Sequence, residues 1–234
     1  MKRPGMIGIL IAAAAFAALA VTSPAADAGS AAYVSDGSAL AVNRSSLTTE
    51  EKQVLMGQVE AARQAGVPAD DLEIIVTRGL ERGVGAAMVG RFLETSGQVA
   101  RQGLPVRPVL DRIEQGLSKG VPPERIDAAG RRLADGLAKA KPLVEELLQN
   151  GLQPGTGNAK DAALETVARA GEQNLSAGTM QGLGETVRAR GQSLEQFERA
   201  VRTLSFLAGS GMPADAAERV VQSGIDRGLT ERDY

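Results

Sequence analysis

The feature of this chain that most restricts its fold is an internal repeat with a period of 37 residues. Each copy contains Gly, an apolar residue and Pro, followed at fixed distances by two further glycines. The clearest copies begin at Gly66, Gly103 and Gly211. Units start near Pro68, Pro105, Pro142, Ser176 and Pro213, the fourth after a shortened step of 34 residues. A period of this length is typical of arrays of supersecondary units.

Each boundary between helices follows one local rule, as in Gly66-Val67-Pro68-Ala69-Asp70. Glycine adopts the left-handed conformation at a helix end, and the apolar residue after it packs back onto the helix. Proline is tolerated in the next first turn, where an acidic residue meets the positive end of the helix dipole. The predicted structural turn positions, with glycines of the last helical turns included, are Gly66, Pro68, Gly79, Gly83, Gly103, Pro105, Gly116, Gly120, Gly191, Gly211, Pro213, Gly224 and Gly228.

Apolar residues between these turns recur at i, i+3, i+4 and i+7, which indicates amphipathic helices. The first helices of the units carry Leu72, Ile75, Val76 and Leu80; Val109, Ile113 and Leu117; and Val220, Val221 and Ile225. The second helices carry Met88, Val89, Phe92 and Leu93; Ile126, Ala129, Leu133 and Leu137; and Leu194, Phe197, Val201 and Leu204. One hairpin cannot bury its stripe alone, so stacked neighbours must supply the core. The sequence predicts an all-α fold, a right-handed α-hairpin repeat solenoid of about five units plus a leading half-unit over residues 47–65.

Three glycines, Gly79, Gly116 and Gly224, share one position inside the last turns of the first helices. Glycine inside a helix costs roughly 1 kcal/mol relative to alanine, so a repeated glycine indicates a geometric requirement. We interpret it as close approach of a neighbouring helix backbone. Aromatic residues make up only 3% of the chain, so Ala, Val, Leu and Ile must build the core.

The N-terminus has the pattern of a secretory signal peptide. Lys2 and Arg3 precede an uncharged apolar run of 16 residues, and the small-residue motif Ala26-Asp27-Ala28 follows. This pattern predicts a signal peptide over residues 1–28 that is cleaved after Ala28, with a second candidate site after Ala20. An uncleaved membrane anchor is the alternative, although a span needs about 20 apolar residues. Residues 29–45 are rich in Ser, Ala and Gly and are predicted as a flexible tether, and residues 46–234 as the helical-repeat domain.

The hairpin unit resembles the tetratricopeptide and Sel1-like class of α-hairpin repeats over residues 46–234. Gly120-Val121-Pro122 is similar to a Gly-Val-Pro turn that is common in Sel1-like units. The resemblance implies binding of a protein or peptide on a concave surface.

The composition excludes several kinds of chemistry, because the chain has no Cys and no His. Disulfides, thiolate nucleophiles, Cys or His metal sites and Ser-His-Asp triads are therefore excluded. The formal net charge of −2 gives no basic excess to attract nucleic acid. We predict no catalytic residue, no cofactor and no metal.

Three further patterns each fit either a binding or catalytic site or a purely structural role. The glycine-rich segment 151–157 could cradle an anion, or it is a turn loosened where the repeat loses three residues. The carboxylate pairs are Glu50/Glu51, Asp70/Asp71 and Glu145/Glu146; they suit acid–base work or cation binding, or else complement helix dipoles in first turns. The densest basic positions are Arg131/Arg132 and Arg188/Arg190, which suit carboxylates or phosphates or else form a solvated helix face.

These observations favour an exported, non-catalytic helical-repeat protein of the bacterial envelope, periplasmic or extracellular, that binds a protein or peptide. Contact with a membrane is expected only through an uncleaved signal peptide. The first alternative is a self-associating structural or assembly factor of the envelope. The second is a hydrolase with a Ser/Lys or carboxylate site, since such sites need no His.

Overall fold

A computed structural model describes residues 37–228, which form ten α-helices joined by short turns. The helices are α1 (Gly37–Arg44), α2 (Thr49–Gln64), α3 (Ala69–Glu81), α4 (Ala86–Arg101), α5 (Arg107–Ser118), α6 (Pro123–Gln149), α7 (Ala159–Glu172), α8 (Ala177–Ala189), α9 (Leu194–Gly209) and α10 (Ala214–Arg227). The prediction of an all-α protein is confirmed for these residues. The predicted signal peptide, residues 29–36 of the predicted tether and residues 229–234 lie outside them.

Most of the helices end in the same hydrogen-bonded turn. After α2, the N–H of Gly66 donates to the carbonyl oxygen of Arg63 at 2.9 Å, and the N–H of Val67 donates to that of Ala62 at 3.1 Å. Together these bonds satisfy carbonyl groups that a helix end leaves unpaired. The predicted turn glycines with φ between +64° and +100° are Gly66, Gly83, Gly103, Gly120, Gly191, Gly211 and Gly228.

The predicted prolines also lie at turns, and one further turn uses an asparagine. Pro68 and Pro213 are the residues immediately before α3 and α10. Pro105 lies in the connection between α4 and α5. Asn174 takes the place of the turn glycine after α7, with φ +66°, a conformation that asparagine tolerates better than most residues.

The helices fall into two series, with contacts both within each series and between the two. We call α1, α3, α5, α8 and α10 the first helices, and α2, α4, α6, α7 and α9 the second helices. Along the second series, α2 contacts α4, α4 contacts α6, α6 contacts α7 and α7 contacts α9. Along the first series, α1 contacts α3, α3 contacts α5 and α8 contacts α10. Helix α6 also contacts α5 and α8.

The prediction of a flexible tether is wrong for residues 37–44, which form α1. Val42 is fully buried, and Ala41 and Leu47 pack against the same core. Because α1 packs against α3, it serves as a short first helix ahead of α2. Helix α1 therefore precedes the predicted leading half-unit and forms a hairpin with α2. The Ser-, Ala- and Gly-rich composition concealed this helix, since only one short apolar stripe specifies it.

A turn was expected at Pro142, and this expectation is wrong. Helix α6 runs without interruption from Pro123 to Gln149, with Pro142 in its interior. The reason lies two residues earlier, where Ala140 stands in the position of the turn glycines Gly66 and Gly103. Alanine does not favour the left-handed conformation that closes such a turn, and buried Ala140 stays helical. Helix α6 consequently takes the place of the second helix of one unit and the first helix of the next.

The predicted stripes form the core, with three exceptions. Leu80 and Ala129 are partly exposed and Val220 is 41% exposed, whereas the other residues of the stripes are buried. Val220 differs from its equivalents Ile75 and Leu183, which are 1% and 0% exposed. Within the described residues no second helix follows α10, and Val220 stays partly exposed.

At Gly79 and Gly116 the absence of a side chain makes room for a neighbouring side chain rather than a backbone, which corrects the expectation of close backbone approach at these two positions. A methyl group on Gly79 would lie 2.9 Å from Cγ2 of Val89. On Gly116 it would lie 2.7 Å from Cγ1 of Ile126. Both contacts join the two helices of one hairpin through a β-branched residue at the same repeat position.

No helix within residues 37–228 is long and apolar enough to span a membrane.

Candidate functional site

The glycine-rich segment 151–157 connects α6 to α7 and holds a carboxylate of the protein itself. The N–H and the hydroxyl of Thr156 donate to Oε1 of Glu195 at 2.6 and 3.0 Å, and the hydroxyl of Ser193 donates to Oε2. These hydrogen bonds lower the pKa of Glu195 from 4.5 to about 2, and the bond from Ser193 has the largest effect. A methyl group on Gly155, whose φ is +76°, would collide with this carboxylate.

The loop therefore fixes the start of α9. A backbone bridge joins Gln153 to Ser193, and the N–H of Leu194 donates to the carbonyl oxygen of Gln153 at 2.9 Å. The anion-cradle interpretation had the right chemistry, because a backbone N–H of the loop does bind an anion. Its occupant is Glu195, which leaves the loop with a structural role.

Two of the three carboxylate pairs lie in first helical turns, as predicted: Glu50/Glu51 in α2 and Asp70/Asp71 in α3. Glu51 also accepts a hydrogen bond from the N–H of Thr48 at 2.9 Å. This bond, with a second from the Thr48 hydroxyl, lowers the pKa of Glu51. Asp71 pairs with Arg107 of the adjacent first helix at 2.7 Å. Glu51 and Asp71 thus each have a structural partner, and all four carboxylates lie where the helix dipole favours a negative charge.

The third pair, Glu145/Glu146, was expected near a first turn, and this is wrong because α6 continues through Pro142. Both carboxylates lie near the end of that long helix. Glu145 lies 3.5 Å from Nζ of Lys160, and Glu146 accepts a hydrogen bond from Gln181 at 3.4 Å. They connect α6 to α7 and α8.

Ion pairs join neighbouring helices of one series at nearly the repeat spacing. They are Arg78 with Glu114 at 2.5 Å, Arg107 with Asp71 at 2.7 Å, Arg190 with Asp226 at 2.7 Å and Arg91 with Asp127 at 3.8 Å. Arg131 also pairs with Asp127, at 3.1 Å within α6. Of the predicted basic positions, Arg190 is therefore engaged in a pair that joins the end of α8 to α10, and Arg131 in a pair within α6. Between residues 37 and 228, no group of three or more carboxylates is placed to hold a metal ion.

Two grooves lie between second helices at equivalent places in the sequence repeat. The α4–α6 groove has a volume of about 320 Å³ and is lined by Glu94, Thr95, Gln98, Val99, Gln102, Arg131, Ala134, Asp135 and Ala138. The α7–α9 groove has a volume of about 450 Å³ and is lined by Thr166, Arg169, Gln173, Arg202, Ser205, Phe206, Gly209 and Ser210. Seven lining residues of the first have counterparts in the second that lie 71 residues later.

The two grooves share a polar frame and differ at their centres. Thr95, Gln102 and Arg131 correspond to Thr166, Gln173 and Arg202, so three lining residues are identical. At the remaining positions Gln98 becomes Arg169, Ala134 becomes Ser205, Asp135 becomes Phe206 and Ala138 becomes Gly209. The centre of the α7–α9 groove is therefore basic and aromatic, whereas the centre of the α4–α6 groove is acidic.

Sequence reasoning missed these grooves, although two signals were present. The step of 71 residues combines one period of 37 with the shortened one of 34, and Leu93-Glu94-Thr95 recurs as Leu164-Glu165-Thr166. Phe206 was outside the predicted stripe of α9, and its side chain is 73% exposed. The helical spacing alone could therefore have identified Phe206 as an exposed aromatic residue.

Comparison of the chain with protein-family models, curated proteins and solved structures finds no significant match.

Proposed function

We propose that this chain is a non-catalytic helical-repeat protein that binds a protein or peptide along its second helices. The proposed arrangement is a right-handed α-hairpin solenoid of about five units, exported to the bacterial envelope as its N-terminal sequence predicts. In such an array the surface of one helix series is continuous, so an extended partner can contact several units.

The observation that carries this proposal is the recurrence of a groove at equivalent positions of the second helices. Identical Thr, Gln and Arg residues line both grooves, while the residues between them differ. A shared frame with different centres suits a surface on which each unit contacts a different part of one partner. The pairing of α4 with α6 and of α7 with α9 brings these lining residues together.

Site-specific photocrosslinking in a bacterium that produces the chain tests this proposal. A photoreactive residue is placed at Gln98 or Ala138 on the second helices, and at the exposed residues Gln115 or Glu185 on the first helices as matched controls. We expect one protein partner to crosslink from the second helices and not from the controls. Equal crosslinking from both series, or none from either, would contradict the proposal.

One observation favours a second function, self-association in a structural or assembly role. Val220 of α10 is 41% exposed at a position where Ile75 and Leu183 are buried, so the described helices finish with an uncovered apolar residue. Sedimentation velocity over a range of concentrations tests this function. A concentration-dependent increase in mass that Val220→Asp abolishes would support self-association, whereas a monomer at all concentrations would refute it.

A further inference from the structure

We propose that the α7–α9 groove binds a peptide in which an acidic residue lies next to an apolar one. This inference rests on the proposed function and names its site and the chemistry of its partner. The residues that would carry recognition are Arg169, Arg202, Ser205 and Phe206, all of which line the groove.

The charge of the groove selects an acidic partner. Its lining contains two arginines and no carboxylate, whereas the equivalent lining of the α4–α6 groove contains Glu94, Asp135 and one arginine. Each arginine of the α7–α9 groove pairs with a glutamate one turn earlier on its own helix, Arg169 with Glu165 at 2.6 Å and Arg202 with Glu198 at 3.5 Å. Both arginine side chains are about half exposed.

Those pairs do not prevent binding of a further carboxylate. A guanidinium group has five N–H donors and one carboxylate occupies at most two of them. Arg169 and Glu165 are both partly exposed, and such ion pairs within a helix contribute little, so Arg169 can turn towards a new partner at small cost. Arg202 keeps its pair with Glu198, whose side chain is only 13% exposed. The glutamates hold Arg169 and Arg202 at the two sides of the groove without closing it.

Phe206 provides the apolar half of the site. It is 73% exposed, and its position is that of Asp135 in the α4–α6 groove. Aromatic residues, Phe among them, and arginine are both enriched at protein interfaces. An apolar side chain of the peptide would cover Phe206 while a neighbouring carboxylate reaches an arginine.

Ser205 supplies a third feature that the α4–α6 groove lacks, because its counterpart there is Ala134. The hydroxyl oxygen of Ser205 is buried and has no hydrogen-bond partner. A buried polar atom without a partner is unfavourable. A backbone amide of a bound peptide can satisfy it, and the uncharged side-chain amide of Gln173 at the groove favours the same kind of ligand.

Selection of peptides from a random library displayed on phage, with the full chain as bait, tests the inference. We expect enrichment of sequences that place Asp or Glu next to Leu, Ile or Phe. The double variant Arg169→Gln/Phe206→Asp gives the groove the side chains of its counterpart, which the same fold already accommodates at Gln98 and Asp135. We expect it to bind the selected peptides about tenfold more weakly or worse, measured by fluorescence anisotropy.

The converse variant is the sharper test. Gln98→Arg/Asp135→Phe transfers the two central side chains to the α4–α6 groove, and we expect it to bind a second copy of the same peptide. Asp135→Asn alone is the matched control and should bind one. Peptides that bind Arg169→Gln/Phe206→Asp as tightly as the original chain would overturn the site and leave the proposed function standing. Recovery of no enriched sequence would count against both.

Discussion

The contact between Gly116 and Ile126 allows one prediction to be worked from distances. A methyl group at Gly116 would lie 2.7 Å from Cγ1, 3.0 Å from Cδ1 and 3.3 Å from Cγ2 of Ile126. Since Ile126 is buried and β-branched, its Cγ1 atom cannot move away as the end of a flexible chain could. Overpacking of this kind costs about 1–3 kcal/mol.

The gain in helix propensity opposes that cost. Replacing a helical glycine by alanine contributes up to about 1 kcal/mol, so Gly116→Ala should lower the free energy of unfolding by about 1 kcal/mol net. Gly57 is the matched control, because it is exposed in the middle of α2 and has no atom within 4 Å of an added methyl group. Gly57→Ala should raise the free energy of unfolding by about 1 kcal/mol.

Urea unfolding followed by far-UV circular dichroism measures both effects, and a second substitution checks their cause. Ile126→Ala removes the colliding atoms and costs about 2–5 kcal/mol by itself. In that background Gly116→Ala should become stabilising, as at Gly57. If Gly116→Ala stabilises the original chain as much as Gly57→Ala does, the packing argument for the repeated glycine is refuted.

Three further predictions concern other parts of the chain. The pKa of Glu195 is about 2 in the folded protein against an ordinary 4.5, so its contribution to stability is complete above pH 4.5 and is lost as the pH falls towards 2. Glu195→Gln should remove that part of the pH dependence of the urea midpoint, and an unchanged profile would contradict it. Pro142→Ala should raise stability by about 1 kcal/mol or more, because it restores a backbone N–H inside α6; a lower urea midpoint would show that packing requires the proline. Intact-mass measurement of the chain secreted by a bacterial host should give residues 29–234, and a mass that includes residues 1–28 would contradict cleavage after Ala28.

The turns and the helix stripes were predictable because their causes are local. A glycine such as Gly120 adopts a positive φ at almost no cost, and the apolar residue after it finds a partner within the same turn. The spacing of residues such as Leu133 and Leu137 likewise depends only on the geometry of one helix. For these features, a few consecutive residues contain all the information that the structure uses.

Predictions that depended on a contact between distant elements were less successful. Nothing near Val42 in the sequence shows that α3 covers it, and nothing near Val220 shows that it remains uncovered. Similarly, Glu195 could not be identified as the anion in the loop 151–157, because the hydrogen bond from Thr156 joins residues 39 positions apart.

The sequence by itself determined the helical class, the places where most helices end and the residues that face inward. It did so because backbone conformation and amphipathic spacing are set within a few residues. Only the tertiary structure decided which surface is available for binding. The α7–α9 groove exists because α7 and α9 pack side by side, so that Arg169 and Phe206, far apart in the chain, line one cavity. Chemistry at a surface depends on which side chains meet across helices, and that is a property of the packed array.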